Sequence, residues 1–353
     1  MKTVNKIKIG NKWVGEGKPC FIIAEAGINH NGNVNIAKKM VDVAKSAKAD
    51  CIKFQTFKAK KLIADENLTY TYKSQGKKIT EPQIKMLQRY EFSEKEWKEI
   101  IDYCKKKKIV FSTTAQNISD LDFILSLVSL PFIKIGSDDL TNLDLIEYYA
   151  KKKKTMIISA GMAYASEIKD AVSAIRKSGN NNIIVLHCIS SYPASAEEVN
   201  LKRIKTIKDS FKIVVGFSDH AEGILASVGA VVLGAKVVEK HFTLNKNMSG
   251  PDHWFSADPE ELKELVEGIR FIEKSLGSPL IFPTRKEKGM RKLVRRSIVA
   301  TKNIKRGEKI KLSDVECKRP GTGLPPRFAG IIKGKEAIKD IKKGELITLK
   351  KLK

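Results

Sequence analysis

The chain has 353 residues, 42% of them hydrophobic, which is enough for one large domain plus a small one and ordinary for a globular protein. Lysine and arginine exceed aspartate and glutamate by 66 to 40, but this charge of +26 lies largely on lysine-rich helix faces such as Lys105–Lys108 and Lys151–Lys154, with no nucleic-acid-binding motif beside it. No apolar run nears the ~18 residues of a membrane span, the first ten residues hold no signal core, and the five scattered cysteines form no C-x-x-C pair, so no membrane-spanning helix is expected and the cysteines argue for reduced thiols in the cytoplasm rather than a disulfide frame or a zinc ribbon.

Short apolar runs alternate with helical stretches as far as residue 280. Strands are predicted at Phe21–Ala24, Cys51–Gln55, Val110–Thr113, Phe132–Ile135, Met156–Ser159, Ile183–His187, Ile213–Gly216 and Lys236–Glu239. Most are continuous apolar runs, as parallel strands buried on both faces require. Helical spacing fills the gaps, for example at Asn35–Lys48, Glu94–Lys106, Ser166–Lys177 and Pro259–Leu276. Eight such units predict an α/β fold, a (β/α)8 TIM barrel over residues 1–280. A doubly wound sheet would want a glycine-rich phosphate loop after the first strand, and Glu25–Asn33 does not match G-x-G-x-x-G. Between Gln55 and Ser93 lies a long insertion containing Thr69–Gly76. On a barrel rim such an insertion reads as a substrate lid.

Beyond residue 280 the pattern changes. Residues 281–296 read as an exposed linker ending in a basic cluster. Residues 297–353 read as a small β-rich domain, within which Asn303–Ile310 recurs as Asp340–Ile347, each copy turning at a glycine. A core that small is marginal alone.

The chemistry concentrates at strand ends. All five histidines (His30, His187, His220, His241, His253) lie at or just beyond the C-terminal end of a predicted strand, where barrel active sites form. They are read together as a rim of metal ligands or acid–base groups. Glu25 ends the first strand, where a carboxylate can move a proton. Lys53 and Lys134 sit inside strands and would charge the barrel interior. With the hydroxyls Ser112, Thr113, Ser137, Ser159 and Ser218 they suit a phosphate or carboxylate. A lysine Schiff base competes with that reading, because buried lysines lose basicity.

Phe21–Gly32, Lys53-Phe54-Gln55, Lys134–Ser137, Leu186–Pro193, Gly216–His220 and Glu239–Thr243 resemble, in order, the motifs of the sialic acid synthase family, which includes the N-acetylneuraminate, legionaminate and pseudaminate synthases. The tail around Lys318–Gly323 resembles that family's C-terminal antifreeze-like (SAF, β-clip) domain. The resemblance implies metal-dependent condensation of phosphoenolpyruvate with an N-acetylated aldose, such as N-acetylmannosamine or a diacetamido sugar, to a nine-carbon 2-keto acid with release of phosphate. It further implies that His220 and His241 hold a divalent ion, Mn2+ or Mg2+, and that Glu25 positions or protonates the oxygen formed at the new bond. Lys53, Thr113, Lys134, Ser137, Ser159 and Ser218 would hold phosphoenolpyruvate, and Asp139, Ser190 and Tyr192 would face the sugar. Arg319 would reach the N-acetyl group in the partner's barrel, within a domain-swapped homodimer. Ser190 and Asp139 stand where some members carry asparagine and glutamate, which leaves the acceptor open. Two other readings remain: a lysine-dependent barrel aldolase using Lys134 or Lys53, and a basic polyanion-binding protein.

Overall fold

The structure, a computed structural model, describes residues 5–353. It divides between Gly277 and Ser278 into two compact units. In the first, β1 (Phe21–Gly27), β2 (Cys51–Thr56), β3 (Val110–Ala115), β4 (Phe132–Ile135), β5 (Thr155–Ser159), β6 (Ile183–Cys188), β7 (Val214–Asp219) and β8 (Val237–His241) close a parallel barrel in chain order. All eight predicted strands are present, several extended by one to three residues toward the rim.

Each strand is followed by a helix: α1 (Val34–Ser46), α2 (Glu94–Lys107), α3 (Ile118–Leu127), α4 (Leu143–Lys151), α5 (Ala165–Lys177), α6 (Arg203–Phe211), α7 (Leu225–Val232) and α8 (Pro259–Ser275). Their starts are written locally. Ser93 and Glu96 form a capping box on α2; Asp258 and Glu261 form another on α8, with Pro259 in its first turn. The outward strand residues and the helices share one apolar layer, for example Ile22, Ile52, Phe54, Val185 and Val238 against Trp97, Ile100, Ile146 and Leu265.

Strand alternation divides the barrel interior into two storeys. The lower is apolar: Phe21, Ile23, Cys51, Phe132, Ile157, Ile184, Leu186, Val214 and Val237. A hairpin of Lys6–Ile9 and Lys12–Gly15 plugs it, burying Ile7, Ile9 and Val14 in the same cluster, and Thr155 Oγ1 ties it down by donating to the Lys8 carbonyl at 2.7 Å. The sequence reading took this segment only as lacking a signal core; its i, i+2 apolar pair was the available sign. Ile9→Ala is expected to lower unfolding free energy by about 2–5 kcal/mol, read from a urea titration. A loss below about 1 kcal/mol would mean that the plug carries no packing load.

The long insertion holds a hairpin of Thr69–Ser74 and Lys77–Pro82 between the short helices Ala59–Leu62 and Gln83–Gln88. Its two-residue turn, Gln75-Gly76, has positive φ at both positions (50° and 78°), the requirement of a type I′ turn. The tip is moored to the segment after β8. Ser74 Oγ accepts from the Gly250 N–H at 3.0 Å, and Gln75 donates to the Asn247 carbonyl at 3.1 Å.

The second unit contains β9 (Ser297–Ala300) paired antiparallel with β10 (Val315–Lys318) over a core of Ile298, Ile304, Ile310, Ile332, Ile341 and Ile347. The stretch read as linker includes a helix at Arg285–Val294 with no buried residue. The internal repeat is structural as well as sequential. Ile304 and Ile341 exchange backbone hydrogen bonds in both directions at 2.8 Å. Asp340 caps the Arg306 N–H, and Asn303 caps the Lys343 N–H in the mirrored way.

Candidate active site

Above the apolar storey, the inward positions turn polar. Glu25 follows Ile23 in alternation, Lys53 follows Cys51, Lys134 follows Phe132, Ser159 follows Ile157, and Glu239 follows Val237. These residues floor a cavity of about 330 Å3, walled by Gln55, Thr114, Ser137, Asp138, Cys188, Ser190, Tyr192, Ser218, His220 and His241. Lys53 Nζ lies 2.7 Å from Glu25 Oε2 and 3.7 Å from Glu239 Oε1, and donates to Thr114 Oγ1 at 2.8 Å. Lys134 Nζ lies 3.8 Å from Glu239 Oε1 and donates to Ser159 Oγ at 2.8 Å. Two lysines and two carboxylates thus form one buried cluster. Gly161 closes the rim: a Cβ there would meet Ser190 Oγ at 2.3 Å and Ser137 Oγ at 2.7 Å, and its N–H donates to Ser137 Oγ.

The two carboxyls are driven apart. Burial pushes Glu25 up to about 7, with Lys53 opposing. Burial acts the same way on Glu239, but Lys134 and Lys53 together outweigh it and hold that carboxyl below its usual range. Burial also pulls Lys134 below the ordinary lysine value; Lys53 is pulled the same way, but Glu239 and Glu25 more than restore it. A pair of acids split in this way is the pattern of one proton carrier and one standing anion.

His220 and His241 face the cavity with ring centroids 5.6 Å apart. His220 Nδ1 donates to the Ile189 carbonyl at 2.6 Å, which leaves Nε2 turned to the cavity, and Tyr192 stacks on the ring at 4.1 Å. His241 Nδ1 is buried without a hydrogen-bond partner. Burial holds His220 down to about 4 and His241 well below its ordinary value, so both rings are neutral at pH 7. Two neutral imidazoles beside carboxylates, His241 with its Nδ1 unpartnered and His220 with its Nε2 3.4 Å from the Ser218 hydroxyl, fit a borderline divalent ion. Among the described residues no cluster of three or more metal-ligating side chains occurs, so substrate and water would complete its coordination.

Three histidines are not part of this site, which corrects the reading of a five-histidine rim. His187 points outward and donates to the Val199 carbonyl at 2.7 Å. His30 stacks on Phe92 at 4.3 Å in the apolar layer. His253 bridges Thr243 and Asn31, steadying the lid mooring, where Asn31 donates to the Ser249 carbonyl. All are buried on elements that share apolar neighbours, and strand-end position alone could not reveal which way each ring points.

Two further predicted contacts are displaced. Thr113 has the parity of Phe111 and Ala115; it bonds Thr56 outside the barrel at 2.8 Å, and Thr114 is the inward hydroxyl. Asp139 turns from the cavity and accepts from Asn142 at 3.2 Å, whereas Asp138 lines it. Glu25, Lys53, Lys134, Ser137, Ser159, Ser190, Tyr192, Ser218, His220 and His241 all line the cavity as expected. Arg319 is exposed at the end of β10 in the second unit. Sequence reasoning missed Glu239 and Asp252. Glu239 shares the parity of His241, which was a usable signal.

A second cavity of about 520 Å3 adjoins the first through Gln55, Tyr192 and His241. Its other walls are the lid residues Tyr70, Tyr72, Lys73 and Lys78, with Asp252, Trp254 and Phe255 opposite. Lys73 Nζ sits 4.7 Å over the Trp254 ring. The long insertion is therefore a wall of the site.

Buried neutral histidines give a pH prediction. His220 and His253 are lowered to about 4 and His30 to about 3, each chiefly by burial, from an ordinary value of 6.5. The unfolded chain binds these protons below pH 6.5 and the folded chain does not until about pH 4. Stability is therefore expected to fall as pH drops from 6.5 toward 4, by up to about 1.4 kcal/mol per histidine per pH unit. Glu25, Asp252, Asp120 and Asp139, all raised chiefly by burial, act in the opposite sense, but with His187 and His241 lowered as well the histidines are more numerous. Urea titrations across this range test it, and flat or rising stability on acidification would contradict it.

A closed (β/α)8 barrel whose rim gathers paired lysines, paired carboxylates and paired neutral histidines is the frame of a barrel enzyme. The NeuB family profile matches residues 40–280 and the SAF domain profile residues 295–353, and the chain belongs to the NeuB family. It is 43% identical to the N,N'-diacetyllegionaminic acid synthase of Campylobacter jejuni, over 94% of this chain and 99% of that one. It is 36% identical to the mouse N-acetylneuraminate-9-phosphate synthase, over 95% of this chain and 93% of that one. The crystal structure of the sialic acid synthetase of Leptospira borgpetersenii, in complex with citrate, superposes with a TM-score of 0.73 at 34% identity, covering 82% of this chain and 95% of that one. The chain thus shares its family with synthases of sialic acid and related sugar acids.

Proposed function

We propose that the protein condenses phosphoenolpyruvate with an N-acetylated aldose, consuming one water and giving a nine-carbon 2-keto acid and phosphate. The observation that carries this is the buried Lys53–Lys134–Glu25–Glu239 cluster beside two neutral histidines, next to a second cavity of sugar size. Lys53, Lys134 and the hydroxyls of Thr114, Ser137, Ser159 and Ser218 hold the phosphate and carboxylate by charge-assisted hydrogen bonds. Glu239, kept anionic between two lysines, faces positive charge developing at C2 until water adds there and the resulting hemiketal collapses to the ketone with loss of phosphate. Glu25, which holds its proton near neutrality, delivers it to the aldehyde oxygen as the carbon–carbon bond forms. His220 and His241 would hold Mn2+ or Mg2+, which supplies Lewis-acid polarisation of that oxygen when bound.

Tyr70, Tyr72, Trp254 and Phe255 give the second cavity aromatic faces for sugar C–H groups, with Asp252 to accept from hydroxyl or amide N–H. The acceptor we favour is a diacetamido-trideoxy hexose. Its support is the name of the 43% identical relative and of a 40% identical one from Legionella pneumophila, both N,N'-diacetyllegionaminic acid synthases. We place Arg319 at the acceptor's N-acetyl group within a domain-swapped homodimer.

The test is phosphate release from phosphoenolpyruvate with Mn2+, against N-acetylmannosamine, its 6-phosphate and the two diacetamido-trideoxy hexoses. Release with a diacetamido sugar, abolished by chelator, is expected. The lowered basicity of Lys134 favours one other reading, a Schiff-base aldolase. That reading requires activity in chelator and inactivation by borohydride with substrate.

A further inference from the structure

The outward faces of β7 and β8 carry charges that the reaction does not touch. Asp219 and Lys240 are direct partners in the parallel register, and each immediately precedes a site histidine. Both point away from the cavity into the layer between barrel and helices, where they are 1% and 2% exposed. Lys240 Nζ lies 3.3 Å from Asp219 Oδ2. Taking such a pair from water is costly, and an apolar pair of similar volume would hold the fold as well or better. An apolar pair could not make the hydrogen bonds that these side chains make.

Those bonds converge on the residue after His220. Asp219 Oδ1 accepts from the Ala221 N–H at 2.9 Å, and Lys240 Nζ donates to the Ala221 carbonyl. Asp219 Oδ2 accepts from the Ser227 hydroxyl on α7 at 2.6 Å, which fixes the carboxylate itself. From the other side the Ala194 N–H donates to the His220 carbonyl at 2.9 Å. The peptide group leaving His220 is therefore gripped at both its oxygen and its N–H. Ring rotation, the one remaining freedom of His220, is taken up by the Ile189 carbonyl. Because Lys240 is also the residue before His241, one ion pair ties the strand ends that present the two imidazoles.

We infer that Asp219 and Lys240, with Ser227 behind them, are positioning residues: they hold the strand ends so that His220 and His241 converge on one divalent ion. This rests on the metal reading given above. Groups behind a ligand that set its orientation are worth roughly 10–100-fold in metal affinity.

The test is Mn2+ binding to the full-length, metal-stripped protein, followed by the loss of the free-ion electron paramagnetic resonance signal. Thermal unfolding in chelator serves as the fold control. Asp219→Asn and Lys240→Met are expected to weaken Mn2+ binding roughly 10–100-fold, and Lys240→Arg, which keeps the donor, to recover most of it. Ser227→Ala removes a single hydroxyl and is expected to weaken binding several-fold with unfolding close to wild type. Folded variants that bind Mn2+ like wild type would overturn the inference. If the charged-pair variants fail to fold, Ser227→Ala decides in the same way. Absence of Mn2+ binding by the wild-type protein would overturn the metal reading and the inference with it, whereas wild-type binding with unaffected variants would overturn the inference alone.

Discussion

His241→Ala is expected to cut turnover on the order of 10³-fold while leaving a folded protein. The imidazole lies over the junction of the two cavities, its Nδ1 without a protein partner, so on the proposed mechanism truncation removes a metal ligand and breaks no structural bond of that nitrogen. Losing Lewis-acid stabilisation of about 4 kcal/mol corresponds to that factor. Phosphate release at saturating Mn2+, together with a melting curve, measures it. A variant within tenfold of wild type would remove His241 from the chemistry. Tyr192 and Phe255 pack against the ring, at 5.8 Å each, and supply the walls that remain.

Glu239→Gln is expected to do damage of two kinds. Turnover should fall by roughly 10²–10⁴, the span of a lost acid–base or charge-stabilising carboxylate. Stability should fall by about 3–5 kcal/mol, because the variant leaves two buried lysines facing Glu25 alone. Glu25→Gln is the contrast. Burial already drives Glu25 toward its neutral form, which glutamine imitates, so its stability loss should be the smaller of the two even though its turnover is also impaired. Urea titrations of both variants at pH 7 decide the order. A greater stability loss for Glu25→Gln would reverse the assignment of which carboxylate carries the proton.

The barrel was legible because eight apolar runs, each buried on both faces, leave few other architectures. The site was legible wherever a side chain broke an apolar run, as Lys53 and Lys134 do, since a charge inside a barrel strand has to be used. What stayed hidden was parity at strand ends. Thr113 and Thr114 are equally plausible hydroxyls in sequence, and only the strand's rotation about its axis sets Thr114 toward Lys53. The same ambiguity drew His30, His187 and His253 into the rim. Asp138 and Asp139 differ by a loop torsion that no periodicity encodes. Glu239 lies two residues before His241 on the same strand, so the alternation that turns one inward turns the other inward too. The lid was recognised by its length, while its hairpin and its mooring to residues 247–250 depend on long-range bonds that local propensity does not carry.

The N-terminal plug has a consequence for traffic. Among the described residues, Ile7, Ile9 and Val14 fill the lower end of the barrel, and the inner cavity opens toward the rim. At Gln55, Tyr192 and His241 it adjoins the outer cavity, which those residues also bound. On the proposed condensation the two chambers would form a queue rather than a pair of independent stalls: the smaller, charged molecule would be seated before the larger one arrives, and the joined product, spanning both, would back out before another turn begins.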